Sequence, residues 1–208
     1  MASSARLVLH YLDIGSLGRG EVIRLFLVDA GLPFQDIRYP YDDSWATTAS
    51  KLLENGISRT GKVPVLEYND NKLSQHIPIL RYLSREMGDY DGQTSLDTYL
   101  VDAISDMYID WRAQWVANRR KPTDDYQNEY VPNYYRVLSQ YYSDCGGPFL
   151  LGDRITYADF VVFQSIDNDE KIGTLPKNLP TAMEKLIQAF ESRPRVKEYL
   201  TNRRNTKV

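Results

Sequence analysis

The sequence has few of the residues that staple small folds or hold metals. Of 208 residues, one is cysteine, Cys145, and two are histidine, His10 and His76. A lone cysteine excludes an intrachain disulfide, a cysteine-rich zinc site and a Cys-x-x-Cys redox centre, and two histidines are too few for a histidine-based metal site. Neither sign of charge dominates. Lys and Arg number 25 against 28 Asp and Glu, a net of −3, so the chain lacks the electrostatic drive of a nucleic-acid binder. No run approaches the ~18 apolar residues of a membrane span, and the opening Met-Ala-Ser-Ser-Ala-Arg is not a basic-then-apolar signal. The expectation is a soluble, cytoplasmic protein with no metal, nucleic acid or membrane partner.

What is present is enough hydrophobic residue, 42%, to bury a core in one large or two small domains. Arg6 to Leu12 reads as a buried strand, residues 18 to 30 as an amphipathic helix ended by Gly31 and Pro33, and Phe34 to Tyr39 as a second strand. Residues 40 to 60 read as a connecting segment. Val63 to Tyr68, the turn Asn69-Asp70-Asn71 and Lys72-Leu73 predict a hairpin, with a helix from about Gln75 to Met87 behind it. After Gly88-Asp-Tyr-Asp-Gly-Gln93 every strong periodic segment is helical. Leu100, Ile104, Tyr108, Trp111 and Trp115 share one face of a helix over 95–118, and Tyr126 to Tyr142 continues the pattern with Pro132 kinking or shortening it. Thr156-Tyr-Ala-Asp159 is a helix-start signature ahead of Phe160-Val-Val-Phe163. Helices near 181–192 and 196–202 finish the chain. The division is residues 1–87, an α/β domain; 88–94, a linker; and 95–208, an all-helical domain.

This order, with Pro64 opening the third strand, resembles the cytosolic glutathione transferase family over nearly the whole chain. The resemblance rests on Tyr11, Gly18-Arg-Gly-Glu-Val-Ile-Arg24, Gly61-Lys-Val-Pro-Val-Leu-Glu67, Leu73-Ser-Gln75, Arg81-Tyr-Leu83, Val101-Asp-Ala-Ile-Ser-Asp-Met-Tyr108 and Leu151-Gly-Asp-Arg-Ile-Thr-Tyr-Ala-Asp-Phe160. Each motif alone is weak, but the ordered set is specific. It implies a thioredoxin-like domain with a mixed four-stranded sheet and helices, followed by the family's helical domain. The motifs look most like the sigma and alpha classes, with a catalytic loop like that of the delta and theta classes.

The chemistry so implied is activation of the glutathione thiol. A free thiol with pKa near 8.5 is only about 3% thiolate at pH 7, so the site must favour the anion. Lowering the pKa by about two units takes roughly 2.7 kcal/mol, within reach of charge-assisted hydrogen bonds at a helix N-terminus. Two hydroxyls stay open for this role. Tyr11 matches the tyrosine of the sigma and alpha classes, while Ser16 matches the delta and theta serine if the loop is aligned without a gap. Arg19 matches an arginine that supports the thiolate, and a cation in a first helical turn opposes the helix dipole unless an anion is near. The resemblance assigns Val63-Pro64 a cis bond and a backbone edge for the cysteinyl unit, and gives Trp45, Lys51 and Lys62 the glycine carboxylate.

Gln75 matches the glutamine before the third helix at the γ-glutamyl end of glutathione, but the serine or threonine that follows it in the family and holds the γ-glutamyl carboxylate is His76 here, which either contacts the ligand in its place or is merely structural or solvated. Asp102, Asp106 and Asp110 recur at four-residue steps, by default as a solvated stripe. Asp106 matches an aspartate that reaches across a homodimer to the γ-glutamyl amine. Arg112, Trp115 and Val116 stand on the side of the electrophile pocket by resemblance, although Trp111 and Trp115 at one-turn spacing also read as core. Three functions follow. The chain is a transferase joining glutathione to a small electrophile, or a cis-trans isomerase adding the same thiolate reversibly to a conjugated alkene of a biosynthetic intermediate, or a non-catalytic binding or assembly module of this fold.

Overall fold

The computed structural model describes residues 6–203. It forms two compact units, one running through Leu83 and rejoined by the stretch that begins at Glu198, the other from Ser84 to Lys197.

From the start of the described chain, β1 (Leu7–Leu12), α1 (Arg19–Asp29), β2 (Phe34–Tyr39), α2 (Trp45–Glu54), β3 (Val65–Tyr68), β4 (Asn71–Ser74) and α3 (His76–Met87) follow in order, α3 belonging to the first unit through Leu83. The sheet runs β2-β1-β3-β4, with β1 parallel to β2 and antiparallel to β3, and β3 antiparallel to β4. Central β1 is buried from Leu7 to Tyr11, as a strand covered on both faces must be, and it therefore reads as a continuous apolar run. His10 is carried in that run by two partners. Its ring nitrogens lie 2.7 Å from the Tyr39 hydroxyl and 2.6 Å from the Glu67 carboxylate, which compensates a buried polar side chain. This is the mixed thioredoxin-like sheet that the motifs implied. The segment expected as plain connection contains a helix, α2. Its sequence sets Trp45, Ala49 and Leu52 at helical spacing but mixes them with two threonines and a serine, weak helix formers, and Leu52 is its one buried residue.

The helical unit contains α4 (Ser95–Asn118), a π-helical turn (Tyr126–Tyr130), α5 (Val131–Asp144), α6 (Tyr157–Lys171) and α7 (Thr181–Ser192); α8 (Pro194–Asn202) leads back to the first unit. Thr94 and Asp97 form a capping box that starts α4. A second box starts α6, where the Thr156 amide donates to the Asp159 carboxylate at 2.7 Å. Every residue of α6 from Tyr157 to Asp169 is buried, which makes it the central post of the unit.

The α-helix that carries Pro132 begins only at Val131, so the pattern expected from Tyr126 is shortened as an α-helix at the proline. The Val131 amide reaches back five residues to the Tyr126 carbonyl, and the π-helical turn delivers Pro132 into the first turn of α5, where a missing N–H costs nothing. The buried Asp169 carboxylate accepts from Trp111 Nε1 at 2.9 Å and from the Tyr126, Tyr135 and Thr174 hydroxyls, each at 2.8 Å. Burial pushes its pKa up against the pull of these donors.

Candidate active site

The loop between β1 and α1 is built around the ring of Tyr11. Gly18, at φ 83°, precedes α1, and a Cβ built on it would stand 2.4 Å from the Tyr11 hydroxyl oxygen. At Gly20 a Cβ would stand 2.3 Å from two ring carbons of Tyr11. Both distances are far inside van der Waals contact, so the two glycines form a bed on which only this ring fits. The phenol consequently reaches the start of α1, where its oxygen accepts the Arg19 amide N–H at 2.8 Å. That amide is one of the four at a helix start that have no partner within the helix. With its oxygen accepting at the positive end of α1, Tyr11 keeps its own hydrogen for donation, a polarised arrangement suited to an anion.

Ser16 lies in the same loop and is buried, with 1% of its surface exposed, whereas Arg19 is half-buried. The loop itself is clamped from below. Arg24, fully buried, pairs with Asp36 through Nε at 3.1 Å, with Glu21 at 3.4 Å and with the Gly15 carbonyl at 3.5 Å. Its guanidinium carbon lies 5.7 Å from the centroid of the Tyr11 ring, a cation–π distance. Burial works against its charge, but the hydrogen bond and charge of Asp36 and the charge of Glu21 outweigh it and raise its pKa. Arg38 adds a second bond to the Gly15 carbonyl at 3.4 Å and one to Asp36 at 2.7 Å.

The residues matched to the rest of glutathione lie further along the first unit. Trp45 opens α2, half-buried and edge-on to Tyr41. Lys51 is exposed in the last turn of that helix, and Lys62 is exposed in the loop before β3, where its carbonyl accepts from the Ser58 hydroxyl at 2.7 Å. The Val63–Pro64 bond is cis. Gln75 is exposed, takes a positive φ of 70° and accepts the Ile79 amide, so it caps α3. His76 is buried at 1% exposure. This rules out a solvated role for its ring and leaves the start of α3, at His76 and Ile77, to offer backbone N–H groups.

In the helical unit Asp106 and Asp110 are exposed, but Asp102 accepts the Tyr157 hydroxyl at 2.5 Å and so leaves the solvated stripe. Arg112 and Trp115 are core: the guanidinium stacks 4.4 Å from the Trp115 ring and donates to Asn168 at 2.8 Å. Val116 is 47% exposed. A polar cleft of about 550 Å³ opens between the end of α4 and the π-helical turn, with Gln114, Asn118, Asp125, Glu129 and Tyr130 on its walls. Its two carboxylates do not suit an anionic tripeptide. Among the described residues no three or more His, Cys, Asp or Glu gather to hold a metal, and no helix is long and apolar enough to cross a membrane.

Gly18 and Gly20 stood in a quoted motif, with no signal that they seat Tyr11. Glu21 and Arg24 stood in a quoted motif with no role. The partners that make them a clamp, Asp36, Arg38 and the distant Tyr199, carry no local signal.

Residues 7–85 match the family model described as the glutathione S-transferase N-terminal domain, and residues 105–203 match the glutathione S-transferase C-terminal domain. A probable glutathione S-transferase 9 of Caenorhabditis elegans is 31% identical over 202 residues, 90% of this chain and 93% of that protein. A glutathione S-transferase of Dirofilaria immitis is 28% identical over 92% of this chain and 91% of its own. Among solved structures, a Caenorhabditis elegans glutathione S-transferase superposes with a TM-score of 0.81 at 28% identity, covering 97% of this chain and all of the other. The Ascaris lumbricoides glutathione S-transferase gives 0.79 at 27%, covering 98% and 100%. Two family domains in the right order, relatives matched almost end to end, and a phenol seated at the start of the first helix leave one conclusion: the chain belongs to the glutathione S-transferase family.

Proposed function

We propose that this family member binds glutathione along the first unit and activates its thiol with the Tyr11 hydroxyl, for attack on an electrophilic small molecule. The observation that carries the reading is the Tyr11 oxygen accepting from the Arg19 amide at 2.8 Å, which leaves the phenolic hydrogen for a thiolate. Arg19 adds a positive charge at the same helix end, and the two together are asked for about 2.7 kcal/mol to lower a thiol pKa by about two units. Both hydroxyls are buried, Tyr11 at 5% and Ser16 at 1% exposure, and the contact with the Arg19 amide at the start of α1 makes Tyr11 the better suited of the two. Gln75 and the amides at the start of α3 would hold the γ-glutamyl carboxylate. The Val63 backbone would pair with the cysteinyl unit as one strand edge pairs with another. Lys62 and Trp45, with Lys51 at the far end of α2, would take the glycine carboxylate.

In this reading the enzyme acts in the cytoplasm as a homodimer, with the partner's Asp106 completing the γ-glutamyl site, and Val116 stands at the electrophile pocket. No observation favours the isomerase or the non-catalytic module over the transferase. Calorimetric titration with glutathione tests the reading. Binding between micromolar and millimolar Kd, about −8 to −4 kcal/mol, is expected, and a glutathione conjugate should accumulate when an electrophile is added. Neither heat nor thermal stabilisation at about 10 mM glutathione, well above that range, would overturn it.

A further inference from the structure

Glu21 lies in the first turn of α1 and only 1% of it is exposed. A carboxylate so buried persists as an anion only if it is surrounded by donors and cations. Arg24 supplies one at 3.4 Å. Others come from the far end of the chain: the Tyr199 hydroxyl, 178 positions away, donates to both carboxylate oxygens at 3.0 and 3.1 Å, and Arg203 Nη1 lies 3.6 Å from one of them. Burial, and then the charge of Glu21, push the Tyr199 phenol up, so it remains a proton donor across the working pH range.

The clamp continues upward without a break. Arg24, held between Glu21 and Asp36, is the group that lies over the Tyr11 ring and grips the Gly15 carbonyl. We infer that Tyr199 is a positioning residue for thiol activation, acting through Glu21 and Arg24 on the ring of Tyr11 and on the loop that carries it. Without the Tyr199 hydroxyl, Glu21 lacks a donor that serves both of its oxygens and draws more on Arg24, whose nitrogens are shared with Asp36 and Gly15. The guanidinium then shifts off the phenol. Tyr11 moves against the start of α1 by the fraction of an ångström that matters to a charge-assisted hydrogen bond. The inference rests on the proposed role of Tyr11.

A double-mutant cycle tests it, with Tyr199→Phe, Tyr11→Phe and the double variant compared for kcat, KM for glutathione, the pH profile of kcat/KM and thermal stability. Tyr199→Phe should raise the apparent pKa in the profile by about one unit and so lower kcat about fivefold near pH 6.5, where the thiolate share falls from about half to about a tenth. The KM for glutathione should stay within about twofold, since no binding contact is removed. In the Tyr11→Phe background the same change should do almost nothing. Three results overturn the inference: a wild-type rate and profile for Tyr199→Phe, an equal loss in both backgrounds, or a loss that merely follows the unfolded fraction. If Tyr199→Phe does not fold, Arg203→Gln at the same carboxylate is read by the same criteria. A wild-type rate for Tyr11→Phe instead defeats the role of Tyr11 itself. An impaired Tyr11→Phe beside a normal Tyr199→Phe defeats only the positioning role.

Discussion

Gly20 and Tyr11 are packed so closely that a Cβ on the glycine would stand 2.3 Å from the Cγ and Cδ1 atoms of the phenol ring. The backbone of α1 and the flat face of the ring share a space that no side chain can enter. Gly20→Ala should therefore push Tyr11 off the start of the helix, costing about 1–3 kcal/mol of stability from overpacking and at least about threefold in turnover at neutral pH, the fall in thiolate when a pKa near 6.5 rises by about one unit. Chemical denaturation and steady-state rates check it. A variant with wild-type turnover would mean that the ring position does not matter to the chemistry.

The Asp169 carboxylate holds the helical unit together through its four donors. Tyr135→Phe removes one of them and leaves the carboxylate buried, so it should cost about 1–3 kcal/mol. Asp169→Leu strands all four and should cost more than any single donor. The order of the two denaturation midpoints is the check.

Asp159 should make stability depend on pH in an unexpected direction. Burial pushes its carboxyl up to about 6, against the hydrogen bonds from Leu150, Thr156 and Tyr142. With the folded pKa above the unfolded one, folding takes up a proton, so the group's contribution is full below about 4 and is lost as pH rises through about 6. Asp159→Asn destabilises by turning an amide toward donors in the capping box. Its cost should be greater at pH 4.5 than at pH 7 by about 2 kcal/mol. Urea denaturation of both proteins at the two pH values decides it, and a larger cost at pH 7 would reverse the sign.

Gln75 is exposed at the cap of α3, where its carbonyl accepts the Ile79 amide. Gln75→Ala should raise the KM for glutathione about tenfold, the loss of one or two hydrogen bonds, with kcat changed far less. An equal fall in kcat would place Gln75 in the chemistry instead of in binding.

Much of the fold is legible in the sequence wherever one stretch carries its own instructions. Residues 95–118 and 181–192 show a helical period over their whole length, and Phe34–Tyr39 is bracketed by turn residues, so the observed elements begin and end where the pattern does. Thr156 and Asp159 announce α6 by themselves. Residues 45–54 set Trp45, Ala49 and Leu52 at helical spacing over only ten residues broken by Thr47, Thr48 and Ser50, weak helix formers, and the π-helical turn before Pro132 is an adjustment of backbone register that no side-chain pattern records. Within the site, Tyr11 and Arg19 are readable because they are adjacent to a helix start. The pairing of Glu21 with Tyr199 is a meeting of distant segments, whereas Trp115, which its one-turn spacing from Trp111 places in the core ahead of a ligand contact, is buried at 1% exposure.

The pKa of the enzyme-bound glutathione thiol, followed through the ultraviolet absorbance of the thiolate, tests the role of Tyr11 most directly. In the wild type it should lie about two units below the free value near 8.5. Tyr11→Phe should return it by one unit or more, about 1.4 kcal/mol or more, while Ser16→Ala leaves it in place. A bound thiol whose pKa is unchanged by Tyr11→Phe and raised by Ser16→Ala would contradict the account and assign the thiolate to the serine.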